Sequence, residues 1–147
     1  QRSCRVLRIA FEDTVGAGDD GLSAFYDVID AAVIFKEHAE TDDRPEVLHG
    51  KQYSVEYNQG ILLEEGCAAD IFSNHIIKNL RANIALGGEG SGSTKIKYNH
   101  IEKSKQEGIF IVEGGLELII ASNIIEQNQK DGIVLLHSEG TIQSNKI

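Results

Sequence analysis

From residue 60 onward the chain repeats itself about every two dozen residues, which limits it to architectures in which like units stack on their neighbours. An Asn-x-Ile triplet recurs at Asn74/Ile76, Asn99/Ile101, Asn123/Ile125 and Asn145/Ile147, its asparagines 25, 24 and 22 residues apart. A second anchor, Gly-Ile or Asn-Ile, stands at Gly60/Ile61, Asn83/Ile84, Gly108/Ile109 and Gly132/Ile133, and lies 9 residues after Asn74, Asn99 and Asn123. The return leg to the next Asn-x-Ile runs through 14, 16, 15 and 13 residues. One side of the unit is therefore constant in length, and the other carries loops.

Periods near this length also suit leucine-rich and helical repeats, so the local pattern has to decide. Apolar residues alternate in Ile61/Leu63, Ile84/Leu86, Ile109/Ile111 and Ile133/Leu135, and a further isoleucine precedes each asparagine by three, at Ile71, Ile96, Ile120 and Ile142. Period-two runs rich in β-branched residues and broken by Gly, Asn and Ser read as three short strands and three turns per unit. The expectation is an all-β solenoid, a parallel β-helix of about four coils spanning residues 46–147.

Coils in such a stack sit about 4.8 Å apart, so equivalent side chains form ladders along the axis. The isoleucines build the core. Asn74, Asn99, Asn123 and Asn145 form a structural ladder, because a side-chain amide both donates and accepts and asparagine tolerates a left-handed bend. Asn79, Ser104 and Asn128, five residues after the ladder asparagines, mark a second polar turn. One coil earlier Leu48 and Tyr53 take the places of Ile71 and Ile76, and Lys51 stands where the ladder asparagine belongs.

The spacing Ile-x-x-Asn-x-Ile-x-x-Asn-x-x-x-Gly-Ile, as in Ile120 to Ile133, resembles the right-handed parallel β-helix repeat. It is similar to the divergent version found in eukaryotic F-box ubiquitin-ligase adaptors and in β-helix proteins of unicellular eukaryotes. That resemblance implies the fold and the right hand. For function it implies only a range, since the repeat serves lyases, hydrolases, epimerases, tailspikes and binding scaffolds.

Residues 1–45 read differently. Alternation over residues 5–11 predicts a strand, and Leu22, Phe25, Tyr26, Ile29, Ala32 and Val33, spaced by threes and fours, predict a helix capping the solenoid's open end. The rival reading makes Val33–Phe35 a strand of an early, degenerate coil. Residues 39–46, acidic and holding the sole proline, Pro45, predict a surface loop. The stretch Gly16 to Gly21 with Ala24, Phe25 and Ile29 to Ala32 faintly resembles the helical cap of pectate-lyase-like enzymes.

A net charge of −9, with 6 basic and 12 acidic groups in residues 1–59 and 8 and 11 in residues 60–147, argues against nucleic acid or anionic lipid as partner. Cys4 and Cys67 show no metal-binding spacing, and so few cysteines favour a reducing, intracellular and cytoplasmic setting. No apolar run approaches 18 residues, the length of a membrane-spanning helix. A chain without methionine is expected to be a fragment or a processed product.

Four Glu-Gly pairs follow the Gly/Asn-Ile strands, at Glu65/Gly66, Glu89/Gly90, Glu113/Gly114 and Glu139/Gly140. Aligned, their carboxylates would hold calcium or act as acid and base on a glycan. Their offsets from the strand isoleucine, 4, 5, 4 and 6, favour solvated turns instead. His75 and His100 both follow a ladder asparagine and are expected to be stacked on the outer surface, half of a metal site at most. The Gly87–Ser93 stretch lacks the Gly-Lys-Ser/Thr ending of a phosphate loop and reads as a projecting loop.

The outward residues of the Gly/Asn-Ile strands are Leu62, Ala85, Phe110 and Val134, apolar where a sugar-processing groove is polar. This column, flanked by Glu65 and Glu113, is the expected contact surface of a non-catalytic scaffold or protein-recognition domain with no cofactor, no metal and no catalytic residue. A carbohydrate-active lyase or hydrolase is the alternative. The resemblance adds a third, substrate recognition in a ubiquitin ligase. The last coil, with Ile133, Leu135, Ile142 and Ile147, is expected to meet a neighbouring subunit, a partner or a further segment.

Overall fold

The structure, a computed structural model, describes residues 2–9, 27–29, 31–38, 46–54, 58–64, 66–87, 93–113 and 117–147, with side chains described in 31–35 and from 46 onward. Three strands per coil, joined by bends, stack into three sheets. One runs through β1 (Arg2–Ile9), β3 (Ala31–His38), β6 (Ile61–Leu63), β9 (Ile84–Gly87), β12 (Ile109–Val112) and β15 (Ile133–Leu136). The second holds β4 (Glu46–His49), β7 (Ala69–Phe72), β10 (Thr94–Lys97), β13 (Leu118–Ala121) and β16 (Gly140–Gln143). The third holds β2 (Asp27–Ile29), β5 (Lys51–Tyr53), β8 (His75–Ile77), β11 (His100–Glu102) and β14 (Ile124–Glu126). All described pairings are parallel except β1 with β3, so the chain is a parallel β-solenoid of about four turns.

The inward residue of each short strand supplies the core. Ile61, Ile84 and Ile109 form one buried column, Leu48, Ile71, Ile96 and Ile120 a second, and Tyr53, Ile76, Ile101 and Ile125 a third. Full burial of each is worth about 1.5–3 kcal/mol. Cys67 lies in the same core.

The asparagine ladder is present in full. Asn99 Oδ1 accepts from the backbone N–H and the Nδ2 of Asn74 at 3.0 and 3.2 Å, and Asn123 Oδ1 does the same for Asn99 at 2.9 and 3.0 Å. Each Nδ2 also donates to a carbonyl one coil back, Asn99 to Ile71 and Asn123 to Ile96. Lys51 occupies the equivalent place as expected, its N–H donating to Asn74 Oδ1 at 2.9 Å. The left-handed bend falls elsewhere than expected. It is taken by the residue before each asparagine, Ser73, Tyr98, Ser122 and Ser144, with φ between 56° and 57°. The asparagine itself has no positive φ and spends its amide on the stack.

At the second turn the repeat's irregularity has a packing reason. Gly60 and Gly108 lie so close to the neighbouring layer that a Cβ would come 2.7 Å from Asn79 Nδ2 and 2.9 Å from Asn128 Nδ2, respectively. At the equivalent position between them stands Asn83, and the second-turn residue facing it is the smaller Ser104. The Asn83 amide fills the vacated space: its Oδ1 accepts from Asn79 Nδ2 at 2.6 Å, and its Nδ2 donates to Glu102 O at 2.9 Å and Asn128 Oδ1 at 3.1 Å.

The N-terminal expectation is corrected in part. A strand is present, as β1, but the capping helix is not seen where the chain is described: Ile29 ends β2, and Ala32 and Val33 lie in β3. Ala32, Val33 and Ile34 pair with Ile61, Leu62 and Leu63, with Ala32 and Ile34 buried. Strand propensity in Val28-Ile29 and Val33-Ile34-Phe35, rewarded by that pairing, overrides the three-and-four spacing. β1 pairs with β3 and closes the first-coil edge of its sheet, the task the helix was expected to perform. Leu22, Phe25, Tyr26, the 39–45 loop and Gly88–Gly92 lie outside the described residues.

Candidate functional site

Three outward surfaces carry side chains that the solenoid does not need for its own stacking. The first is the apolar column. Leu62 pairs with Ala85, Ala85 with Phe110 and Phe110 with Val134, so the four stand in register as expected, preceded by Val33. Ala85 is buried between its larger neighbours, and Leu62, Phe110 and Val134 are half-buried. Of the flanking glutamates, Glu113 is exposed at a left-handed bend just after β12, and Glu65 lies outside the described residues. Val112 pairs with Leu136, so the bend of Glu113 faces that of His137 and not Glu139. The described Glu-Gly turns therefore do not align.

The second surface is polar. In the β5–β8–β11–β14 sheet the residue after each ladder position points outward, and so does the one two further on. The first column reads Gln52, His75, His100, Ile124, and the second Ile77, Glu102, Glu126. His75 and His100 are stacked as expected, ring centroids 5.1 Å apart and 24° from parallel. They are not surface residues, however: His75 is fully buried and the His100 side chain is 15% exposed.

The pair shares a carboxylate. Glu102 Oε2 lies 2.6 Å from His100 Nε2, and its Oε1 lies 3.6 Å from His75 Nε2 and 3.1 Å from Lys103 Nζ. Glu126 Oε1 approaches His100 Nε2 to 2.9 Å from the solvent side. The ligand-type atoms of His75, His100 and Glu102 all fall within 4.8 Å of one another. Glu102 and Glu126 were legible in principle. On a strand, residues i and i+2 share a face, so a glutamate two after His100, repeated one coil later, belongs beside the histidines.

The outer face of the β4–β7–β10–β13–β16 sheet is polar as well. Asp70 pairs with Lys95 and Phe72 with Lys97, and these four with Tyr98 line a shallow hollow of about 250 Å³. His49 stacks on Phe72 at 4.3 Å. The apolar column thus describes one outer face of three, and the polar groups that a glycan would require stand on the other two.

A stacked-coil architecture with an internal asparagine ladder and chemistry confined to its outward columns defines a β-helix protein. The family model for the right-handed β-helix region matches residues 28–147, and the chain belongs to that family. The match begins at β2, which agrees with strands preceding residue 46. No curated protein and no solved structure matches the chain. Among the described residues no helix is long and apolar enough to cross a membrane.

Proposed function

We propose that this chain is a non-catalytic β-helix scaffold or recognition domain that holds a protein partner along β6–β9–β12–β15. The observation that carries the reading is the registered column Leu62, Ala85, Phe110 and Val134, a straight apolar stripe on a rigid support. With a net charge of −9 and Glu113 exposed beside the stripe, the fitting partner presents an apolar strip rimmed by Lys and Arg. The outer edges of β15 and β16, unpaired among the described residues, offer a second contact by strand addition, whereas β14 is already bridged there by Lys146. Ile133, Leu135, Ile142 and Ile147 lie at or beside those edges. Substrate recognition in a ubiquitin-ligase adaptor is a narrower form of this reading and rests on the resemblance of the repeat alone.

A carbohydrate-active β-helix is favoured by one observation, the carboxylates and aromatics on the other two faces: Glu102 and Glu126 beside His100, and Asp70 beside Phe72 and Tyr98. The two readings part in one experiment. Phe110→Glu, checked for native circular dichroism, should abolish capture of a crosslinked partner that the unmodified chain captures, while neither protein cleaves acidic or neutral glycans. Undiminished capture removes the stripe from the argument, and glycan cleavage replaces the scaffold by the enzyme.

A further inference from the structure

We infer that His75, His100 and Glu102 bind a divalent transition-metal ion, best matched by zinc, with Glu126 closing the solvent side. The donor set is the first reason. Two imidazoles and a carboxylate suit zinc and its neighbours, whereas calcium and magnesium take shells dominated by oxygen. Donors around a tetrahedral zinc stand about 3.4 Å apart. The separations here, 2.6 and 3.6 Å from Glu102 to the two Nε2 atoms and none above 4.8 Å, bracket that figure. β8 and β11 hold the backbones of the three donors in register.

The second reason is burial. Glu102 keeps 5% of its side chain exposed beside a fully buried His75, and a carboxylate held out of water requires a cation. Lys103 meets Oε1 from the rim, and Oε2 is turned to His100. The third reason is unfilled hydrogen-bonding capacity in the same column. Gln52, fully buried and in register with His75, has no hydrogen bond at either amide atom, and His100 Nδ1 has none. Polar groups this deeply buried normally find a partner. A hydrated ion beside them supplies water for Gln52 to bind. Access is provided at Glu126, whose side chain is 38% exposed.

The competing account is a metal-free network in which His100 bridges two carboxylates. The two are separated by chelator-stripped, untagged chain titrated with zinc and with cobalt. Expected are a single equivalent of tight heat with zinc, visible d–d absorption with cobalt, and a zinc-dependent rise in melting temperature of the unmodified protein. Glu102→Gln, isosteric and checked by circular dichroism, should weaken binding by more than about 100-fold, and Gln52→Ala, acting from outside the ligand shell, by about 10-fold. Should Glu102→Gln fail to fold, Glu126→Gln at the solvent rim serves, with altered cobalt bands expected. No zinc heat and no melting shift in the unmodified chain, or cobalt spectra indifferent to Glu102→Gln and Glu126→Gln, would leave the metal-free network as the correct account.

Discussion

Exchanging the residues at positions 83 and 104 tests whether the irregular coil is packed as described. Asn83→Gly restores the glycine found at positions 60 and 108 and removes three side-chain hydrogen bonds, at 2.6, 2.9 and 3.1 Å, from a fully buried site. At about 1 kcal/mol net each, the loss is about 3 kcal/mol, with the extra backbone freedom of glycine in the unfolded chain adding about 0.5–1 kcal/mol. Ser104→Asn alone drives a second amide into the volume that Asn83 fills and costs about 1–3 kcal/mol by overpacking. The double variant recreates the Gly-with-Asn combination of Gly60 with Asn79 and Gly108 with Asn128, so the new amide regains most of the bonds. Its loss should be about 1 kcal/mol, which makes the two changes non-additive by at least about 2 kcal/mol. Urea unfolding of the four proteins, followed by far-ultraviolet circular dichroism with shared m-values, measures the cycle directly. Additivity within about 0.5 kcal/mol would refute the packing account.

Two further outcomes follow from the ladder. Asn123→Ala removes hydrogen bonds to Asn99 N and Nδ2, to Ile96 O and to Asn145 Oδ1, and should cost about 3–4 kcal/mol in urea unfolding. Ser122→Gly relieves a left-handed φ of 57° and should raise the melting temperature, by an amount equivalent to about 1 kcal/mol at most, in differential scanning calorimetry.

The parts of this fold legible in the sequence are those repeated in every coil. Asn74, Asn99, Asn123 and Asn145 declare the period, the alternating isoleucines declare strands, and stacking then dictates the register that brings Leu62, Ala85, Phe110 and Val134 into line. The first coil was hard to read because its evidence is not repeated. Val33 and Ile34 lack a ladder asparagine nearby, and only their pairing with Leu62 and Leu63 decides between strand and helix. The polar cluster was half legible. His75 and His100 stand out by type, but their burial depends on what surrounds the outer face, which a repeat unit does not encode.

The same logic explains why the candidate metal site occupies the coils it does. Inward positions are committed to isoleucine, and the bends to asparagine, serine and residues tolerating φ > 0, so a coil varies without structural loss only at its outward positions. The two outward columns of the β5–β8–β11–β14 sheet hold donors at His75, His100, Glu102 and Glu126, and are closed by Gln52 before them and Ile124 after. Three adjoining strands therefore contribute, and the central one, β11, carries two of the donors while being paired on both edges. β8 is likewise paired on both edges, and a strand so held cannot shift register without breaking two ladders at once, so His75, His100 and Glu102 all have a fixed backbone. Single substitutions at outward positions are then sufficient to place or remove a ligand while the stack of coils stays intact.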